Sequence, residues 1–182
     1  MKTVRIGLVG LGMRGPGAVE NFSLIPGVEV VALCDFVKER AEKQNERLRK
    51  NGLAPAAVYY GEKGYEELCK RPDIDLVYIA TDWEHHAIVA KCALENGKNV
   101  ADEVPSAMNL KECWELVDLA EKNQLNCMIL ENCCYDWFEM RTLNMAQAGV
   151  FGEILRAQGA YIHNLDDFWD YYWKNPNGSD PE

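Results

Sequence analysis

Short apolar runs alternate with segments of helical period along the first 150 residues of the chain. The runs are continuously apolar, which is typical of parallel strands that are buried on both faces of a sheet. Predicted strands cover 4–9, 28–34, 57–60, 76–80, 99–101 and 127–130, and predicted helices cover 37–50, 64–70, 84–96, 110–123 and 135–148. This alternation predicts a doubly wound α/β domain with a parallel sheet over residues 1–150.

The ends of several predicted helices carry recognisable signals. Asn109 is followed three residues later by Glu112, a spacing that indicates a capping pair at a helix start. Gly52, Gly97 and Gly149 follow helical runs, where a glycine is typical of a C-terminal stop. The predicted helices therefore have defined ends.

The pattern changes after residue 150. The stretch "FGEILRAQGAYIH" (151–163) predicts a longer strand with partial alternation, and the tail after it has no clear period. A single strand cannot pair its own edges, so residues 151–182 are interpreted as the beginning of a second, incomplete α/β domain. Pairing of 153–162 with a second copy of the chain, or docking on the first domain, are the alternatives.

Composition and charge restrict the partners. The chain has 182 residues, of which 48% are hydrophobic and 26% charged, and its formal net charge is -10. Nucleic acids and anionic membranes require a cationic surface, so neither is an expected partner. The sequence also contains no apolar run long enough to cross a membrane.

The seven cysteines favour a reducing compartment. Their number is odd and no C-x-x-C spacing occurs, so neither a disulfide framework nor a zinc site is indicated, and no metal is expected. Most of these thiols are predicted to be buried packing residues. A cytoplasmic location is favoured on this ground, and a leader removed by processing would leave the same sequence.

The strongest motif is a glycine-rich turn after the first strand. Gly10, Gly12 and Gly15 match G-x-G-x-x-G, and Pro16 stands near the start of the following helical segment. Asp35 follows Gly15 by 20 residues at the end of the second strand. This is the full context of a Rossmann dinucleotide site, in which the glycines allow a tight turn, close approach of the pyrophosphate and close helix packing.

Asp35 indicates which cofactor the turn binds. A carboxylate at this position accepts hydrogen bonds from the adenosine ribose hydroxyls and repels a 2′-phosphate. NAD is therefore favoured over NADP as the cofactor.

Polar residues follow three further predicted strands at their carboxyl ends, where ligands bind in open α/β sheets. Trp83 is predicted to stack on a ring or to cover the cofactor. His86 is predicted to contact a phosphate, ribose or substrate, with a capping or surface role as the alternative. Glu103 is predicted to face the same crevice, with a solvated loop acid as the alternative, and Asp102 to point away from it. Asn132 is placed to contact the cofactor.

A last pair of polar residues lies on the predicted strand after residue 150. Tyr161 and His163 are two residues apart and so share one strand face. That face meets either solvent or substrate.

These motifs together resemble the Gfo/Idh/MocA family of NAD(P)-dependent sugar and polyol oxidoreductases. The resemblance rests on "GLVGLGMRGPG", "CD" at 34–35, "TDWEHHA", "EVP" and "GEILRAQGAYIH", in this order. It implies an N-terminal dinucleotide-binding domain and a C-terminal α/β domain whose open sheet often forms oligomers. A homo-oligomer through the strand 153–162 is therefore an expectation.

One position departs from the family pattern. The family usually carries E-K-P where this chain has Glu103, Val104 and Pro105, and a valine cannot move a proton as that lysine does. With "PDIDLVYIATDW", "EVPSAM" and "LENCCYDWFE", the sequence is similar to the NAD-dependent glycosidases of glycoside hydrolase family 109, known for α-N-acetylgalactosaminidase activity. That resemblance implies hydrolysis through transient oxidation at C3, elimination, water addition and re-reduction.

The resemblance also implies roles for individual residues. Met13 and Arg14 would line the pyrophosphate, and Asp35 the adenosine ribose. The remaining cofactor contacts would lie near the nicotinamide half: Trp83, Glu84, His85, His86, Glu103, Val104 and Asn132. Tyr161 resembles a substrate-contacting tyrosine, and His86, Tyr161 and His163 are the candidates for a catalytic base.

The second domain of the family is largely missing from this sequence. Family members run to more than twice this length, and their later segment carries further sugar-binding residues. The chain by itself is therefore expected to bind NAD without full activity. A conventional NAD-dependent sugar or polyol dehydrogenase is the alternative function.

Overall fold

A six-stranded parallel sheet forms the centre of the first unit of the structure, a computed structural model that describes residues 3–160, 162 and 164. The strands are β1 (Val4–Val9), β2 (Val28–Asp35), β3 (Ala57–Tyr60), β4 (Leu76–Ile79), β5 (Asn99–Asp102) and β6 (Cys127–Ile129). Their order in the sheet is β3-β2-β1-β4-β5-β6. This confirms the predicted doubly wound parallel sheet.

Helices connect the strands and cover the sheet. They are α1 (Gly15–Ser23), α2 (Lys38–Lys50), α3 (Gly64–Cys69), α4 (Trp83–Glu95), α5 (Leu110–Asn123) and, in the second unit, α6 (Trp137–Gln147). Each predicted strand and helix of residues 1–150 is present, with ends that differ from the prediction by at most two residues.

The sheet buries apolar side chains on both faces. Leu8 and Tyr78 belong to one core cluster, and their strand neighbours Val9 and Ile79 belong to the other. Side chains of consecutive strand residues point to opposite faces, so a strand with two packed faces must be apolar throughout. This is the physical reason for the continuous apolar runs in the sequence.

The functional edge of the sheet is set by its topology. β1 pairs with β2 on one side and with β4 on the other, and all of these pairs are parallel. The chain therefore winds away from β1 in two directions, which opens a crevice at the carboxyl ends of β1 and β4. Residues that follow these strands lie at the mouth of this crevice.

The predicted helix ends are present in the structure. The Asn109 side chain accepts a hydrogen bond from the Glu112 backbone N–H at 3.0 Å. Gly52, Gly97 and Gly149 all adopt positive φ, between 73° and 74°. Glycine reaches this conformation without the steric cost of a Cβ.

The second unit begins at Glu131, and its described residues contain α6. The prediction of a strand within 151–163 is wrong for the described residues of this stretch, because residues 154–160 have no regular secondary structure. A strand needs a neighbouring backbone for its hydrogen bonds, and the described part of this unit provides none. The predicted domain boundary near residue 150 stays a prediction.

The cysteines are less buried than expected. Only Cys34 and Cys69 are buried, whereas Cys113, Cys133 and Cys134 are exposed. The exposed thiols lie on the outer side of α5 and in the turn before α6, where no core is available to receive them. Among the described residues no helix is long and apolar enough to span a membrane.

Candidate cofactor site

The glycine turn, residues 10–15, joins β1 to α1 and allows no side chain at its two outer glycines. Gly10 has a φ of 91°, and a Cβ there would lie 2.3 Å from the Ala80 carbonyl oxygen. A Cβ at Gly15 would lie 2.2 Å from the Gly10 carbonyl oxygen. The turn thus packs directly against the end of β4, and only glycine fits at these two positions.

The N-terminus of α1 opens from this turn. Arg14 occupies the N-cap position without a capping hydrogen bond from its side chain, and a proline stands in the first turn. Met13 and Arg14 are exposed beside it. The backbone N–H groups of such a helix end favour an anion, in agreement with the predicted pyrophosphate position.

Asp35 ties the glycine turn to the end of β2. Its carboxylate is 5% exposed and accepts a hydrogen bond from the Leu11 N–H at 2.6 Å and one from the Val37 N–H at 2.8 Å. A carboxylate has about four acceptor sites, so these bonds leave capacity for a ribose hydroxyl. The predicted ribose contact stays a prediction, and the structure adds a structural role for the same side chain.

The second turn at the crevice joins β4 to α4 and is held by side-chain hydrogen bonds. Asp82 caps α4 by accepting a hydrogen bond from the His85 N–H at 3.1 Å, and it also lies 2.7 Å from His85 Nδ1. Trp83 is half-buried, whereas Glu84 and His85 are exposed. Three of the four predicted cofactor residues of this turn are therefore at least partly exposed to solvent.

His86 differs from its neighbours because it is buried. It is 1% exposed, with Nε2 3.0 Å from the Thr81 carbonyl oxygen and Nδ1 3.2 Å from Asp102 Oδ1. A side chain in this position cannot reach a ligand without rearrangement. The predicted contact of His86 with the cofactor and its predicted role as a base both stay predictions. In this structure its ring is buried against Asp102 and is not exposed at the surface.

The end of β5 places two carboxylates on opposite faces of the sheet. Asp102 is fully buried on the α4 side, as the strand alternation predicts. Glu103 points the other way, and its Oε1 accepts a hydrogen bond from the Tyr78 hydroxyl at 2.9 Å. Val104 follows, 44% exposed.

The electrostatics of these groups follow from burial. Burial raises the pKa of Asp102 to about 8, with a smaller raising effect from Glu103 and a lowering one from the Ser106 hydroxyl. Burial and Glu103 also raise the pKa of Tyr78 well above its ordinary value, so its hydroxyl remains a donor. Tyr78 and Asp102 were not predicted as site residues. Both lie within or at the end of apolar strands, and the pattern of apolar residues around them indicates only strand positions.

The remaining predicted site residues lie in the second unit or outside the described residues, and their roles stay predictions. Asn132 belongs to the second unit and is exposed. Tyr161 and His163 lie outside the described residues. Within residues 3–160, 162 and 164, no cluster of side chains is suited to hold a metal ion.

The site can be compared with known proteins. Residues 4–130 match the model of the Gfo/Idh/MocA oxidoreductase family, described as having an NAD-binding Rossmann fold. The chain is 73% identical over 175 residues to a glycosyl hydrolase family 109 protein of Phocaeicola vulgatus, covering 96% of this chain and 34% of that protein. A family 109 protein of Bacteroides thetaiotaomicron is 59% identical, with 96% and 38% covered. The chain thus spans about a third of the length of these curated relatives.

Solved structures agree on the fold. KijD10, a 3-ketoreductase from Actinomadura kijaniata in complex with NADP and TDP-benzene, superposes with a TM-score of 0.70 at 25% identity over 84% of this chain and 45% of that one. A putative myo-inositol dehydrogenase from Sinorhizobium meliloti has a TM-score of 0.71 at 23% identity over 83% of this chain and 43% of the other, which concerns the fold alone. Since the family model covers more than half of the sequence and its NAD-binding fold is the one observed, the chain belongs to the Gfo/Idh/MocA oxidoreductase family and carries its NAD-binding Rossmann domain.

Proposed function

We propose that this chain is the NAD-binding part of an NAD-dependent glycosidase that acts on glycosides resembling α-N-acetylgalactosaminides. The single observation that carries the proposal is Val104, a hydrocarbon side chain exposed at the carboxyl end of β5. The wider family resemblance implies a proton-transferring lysine at this position. A valine there disfavours net oxidation of a sugar hydroxyl, and the relatives named as family 109 glycosyl hydrolases support the same direction.

The residues of the glycine turn fit the cofactor. The missing Cβ atoms of Gly10 and Gly15 and the α1 N-terminus leave backbone N–H groups for the pyrophosphate, next to Met13 and Arg14. Asp35 would offer its remaining acceptor capacity to the adenosine ribose. When bound, NAD accepts a hydride from the sugar and later returns it, so hydrolysis needs no net redox change.

At the other side of the crevice, we assign Glu103 to the nicotinamide ribose region. The Tyr78 hydroxyl donates to one carboxylate oxygen of Glu103 and holds the side chain in place, while its second oxygen stays available as an acceptor. Trp83 would cover the cofactor and exclude water. Asn132 is assigned to the nicotinamide side by resemblance.

We propose that substrate binding also requires residues from the part of the longer relatives that this chain does not match. Tyr161 is the proposed substrate contact, and His86, Tyr161 and His163 remain the proposed candidates for a base. Because the chain spans about a third of its relatives, we expect NAD binding by the chain without full turnover.

Two measurements test this proposal. Calorimetric titration of NAD into the 182-residue chain should give saturable binding, and absence of binding would remove the cofactor assignment. A version extended to the length of the relatives should then release p-nitrophenol from its α-N-acetylgalactosaminide with no accumulation of NADH.

A conventional sugar dehydrogenase is the second candidate function. It is supported by the likeness to KijD10, a 3-ketoreductase, and it requires another base in place of the missing lysine. Steady NADH accumulation with free sugars, and no glycoside cleavage by the extended version, would favour this candidate over the glycosidase.

A further inference from the structure

His86 and Asp102 form a buried polar pair that the proposed chemistry does not use. His86 lies in the first turn of α4 and Asp102 is the last residue of β5, and their exposed fractions are 1% and 0%. His86 Nδ1 and Asp102 Oδ1 are 3.2 Å apart. Within the described part of the chain, no well-formed hydrogen bond reaches either Asp102 oxygen or His86 Nδ1.

The other nitrogen of His86 determines which tautomer is present. Nε2 lies 3.0 Å from the Thr81 carbonyl oxygen. A carbonyl oxygen only accepts hydrogen bonds, so Nε2 must carry a hydrogen. In a neutral imidazole, Nδ1 then presents a lone pair toward Asp102.

Two lone pairs cannot face each other stably at this distance in a buried site. An ionised Asp102 opposite a neutral His86 would be a desolvated charge with only the nearby Ser106 hydroxyl as a donor to compensate it. One proton between Nδ1 and Oδ1 removes the conflict, whether it is bonded to the carboxyl or to the ring. The pair then has no net charge and makes a hydrogen bond.

The pair connects two segments that line the crevice. His86 is bound through Nε2 to Thr81, the residue after β4, and Asp102 directly precedes Glu103. We propose that a proton shared by His86 and Asp102 fixes the Glu103–Val104 segment relative to the β4–α4 turn, so that Asp102 is a positioning residue for NAD binding. This inference rests on the proposed assignment of Glu103 to the cofactor.

The proposal implies a dependence on pH. The titratable groups around Asp102 are His86 from α4, Tyr78 from β4, Glu103 next to it and Cys127 from β6, and the Ser106 hydroxyl is the polar group nearby. The pKa of Asp102 is raised to about 8, so its protonated form and the stability it contributes are lost as the pH rises through that value. NAD affinity should fall over the same range.

The first experiment measures the affinity of the chain for NADH by fluorescence at pH 7, 8 and 9. If only the protonated pair positions the segment, affinity of the unchanged chain falls about tenfold between pH 7 and 9. In Asp102→Asn the amide N–H donates to Nδ1 but does not titrate, so affinity at pH 7 stays within about twofold and the pH dependence disappears. Asp118→Asn, at an exposed carboxylate of α5, keeps the full dependence.

A second variant separates positioning from packing. Asp102→Leu fills the site but offers no donor, and we expect at least a tenfold loss of NADH affinity at pH 7 in a folded protein. If this variant does not fold, the comparison of the unchanged chain with Asp102→Asn decides. A flat pH profile of the unchanged chain, or an undiminished slope in Asp102→Asn, overturns the proposal.

A third measurement works without cofactor and so separates this inference from the proposed function. In the NAD-free chain, the carboxyl resonance of Asp102 should change with a midpoint near pH 8, and the His86 ring nitrogen that faces it should respond to the same loss of the shared proton. Titration of His86 alone, or no change between pH 7 and 9, overturns the shared proton. If NADH fails to bind at any pH while the paired titration is seen, the cofactor assignment fails and the shared proton stands.

Discussion

Two regions at the same edge of the sheet are built in different ways. The glycine turn is formed by backbone, with no side-chain cap on α1 and no space for a Cβ at Gly10 or Gly15. The β4–β5 cluster is formed by side chains, namely Tyr78, Asp82, His86, Asp102 and Glu103. At the glycine turn, the N-terminus of α1 has no side-chain cap and can accept an anionic ligand. In the β4–β5 cluster, the polar side chains contact one another or nearby backbone groups.

The difference indicates how the two regions divide the work of binding. At α1 the first N–H groups receive no side-chain oxygen from the N-cap residue, so an anion gains the full interaction. At α4 Asp82 already accepts from the His85 N–H and brings a negative charge to the helix end. A pyrophosphate is therefore expected at α1, and the β4–β5 cluster is expected to shape the wall beside it.

Gly10→Ala tests the backbone-built region most severely. The new Cβ would collide with the Ala80 carbonyl at a positive φ, so we expect a loss of at least about 3 kcal/mol in the free energy of unfolding. Denaturant unfolding measures it. Gly17→Ala is the matched control, because a Cβ at this α1 position meets no atom within 4 Å. Equal effects of the two changes would contradict the tight contact between the glycine turn and β4.

Asp35→Ala tests whether a side chain is needed to hold the glycine turn. Removal of the carboxylate leaves the buried Leu11 N–H without its acceptor, at a cost of about 2 kcal/mol in unfolding free energy. NAD affinity should fall as well. Asp118→Ala removes an exposed carboxylate of α5 and should change neither quantity. Unchanged NAD affinity in a folded Asp35→Ala protein would show that the ribose assignment is wrong.

Tyr78→Phe tests the β4–β5 cluster by removing one hydroxyl. The ring keeps its edge contact with Phe22, and the lost hydrogen bond to Glu103 should cost about 1.5 kcal/mol. Thermal unfolding measures the change. Tyr60→Phe, at an exposed tyrosine on β3, should be neutral. A neutral result for Tyr78→Phe as well would mean that Glu103 is not held by this contact.

Asp82→Ala and Arg14→Ala compare the two helix starts directly. Loss of the Asp82 cap should cost about 1 kcal/mol in unfolding free energy, whereas Arg14→Ala should leave stability almost unchanged because its side chain makes no cap. The order reverses for NAD, whose affinity should fall in Arg14→Ala and change little in Asp82→Ala. Denaturant unfolding and calorimetry give both numbers. The same response of both variants in both measurements would contradict the division of work between the two turns.

The sequence was sufficient for the elements and for the glycine turn. Strands buried on both faces must be apolar throughout, and the helices between them show apolar residues at a spacing of three to four. Both signals can be read from neighbouring residues in the chain. The capping pair Asn109 and Glu112 was readable for the same reason. The stretch after residue 150 misled because apolar alternation indicates only that a strand is possible, and a strand forms only with a partner.

The sequence by itself determined the order of strands and helices, the sites where glycine is required, and Asp35 at the end of β2. These features depend on neighbours in the chain and on steric rules that hold for any protein. Only the tertiary structure decided that Tyr78 meets Glu103 and that His86 turns away from the crevice to face Asp102. Those contacts join residues far apart in sequence, and they exist because β4 and β5 are paired in register within the sheet.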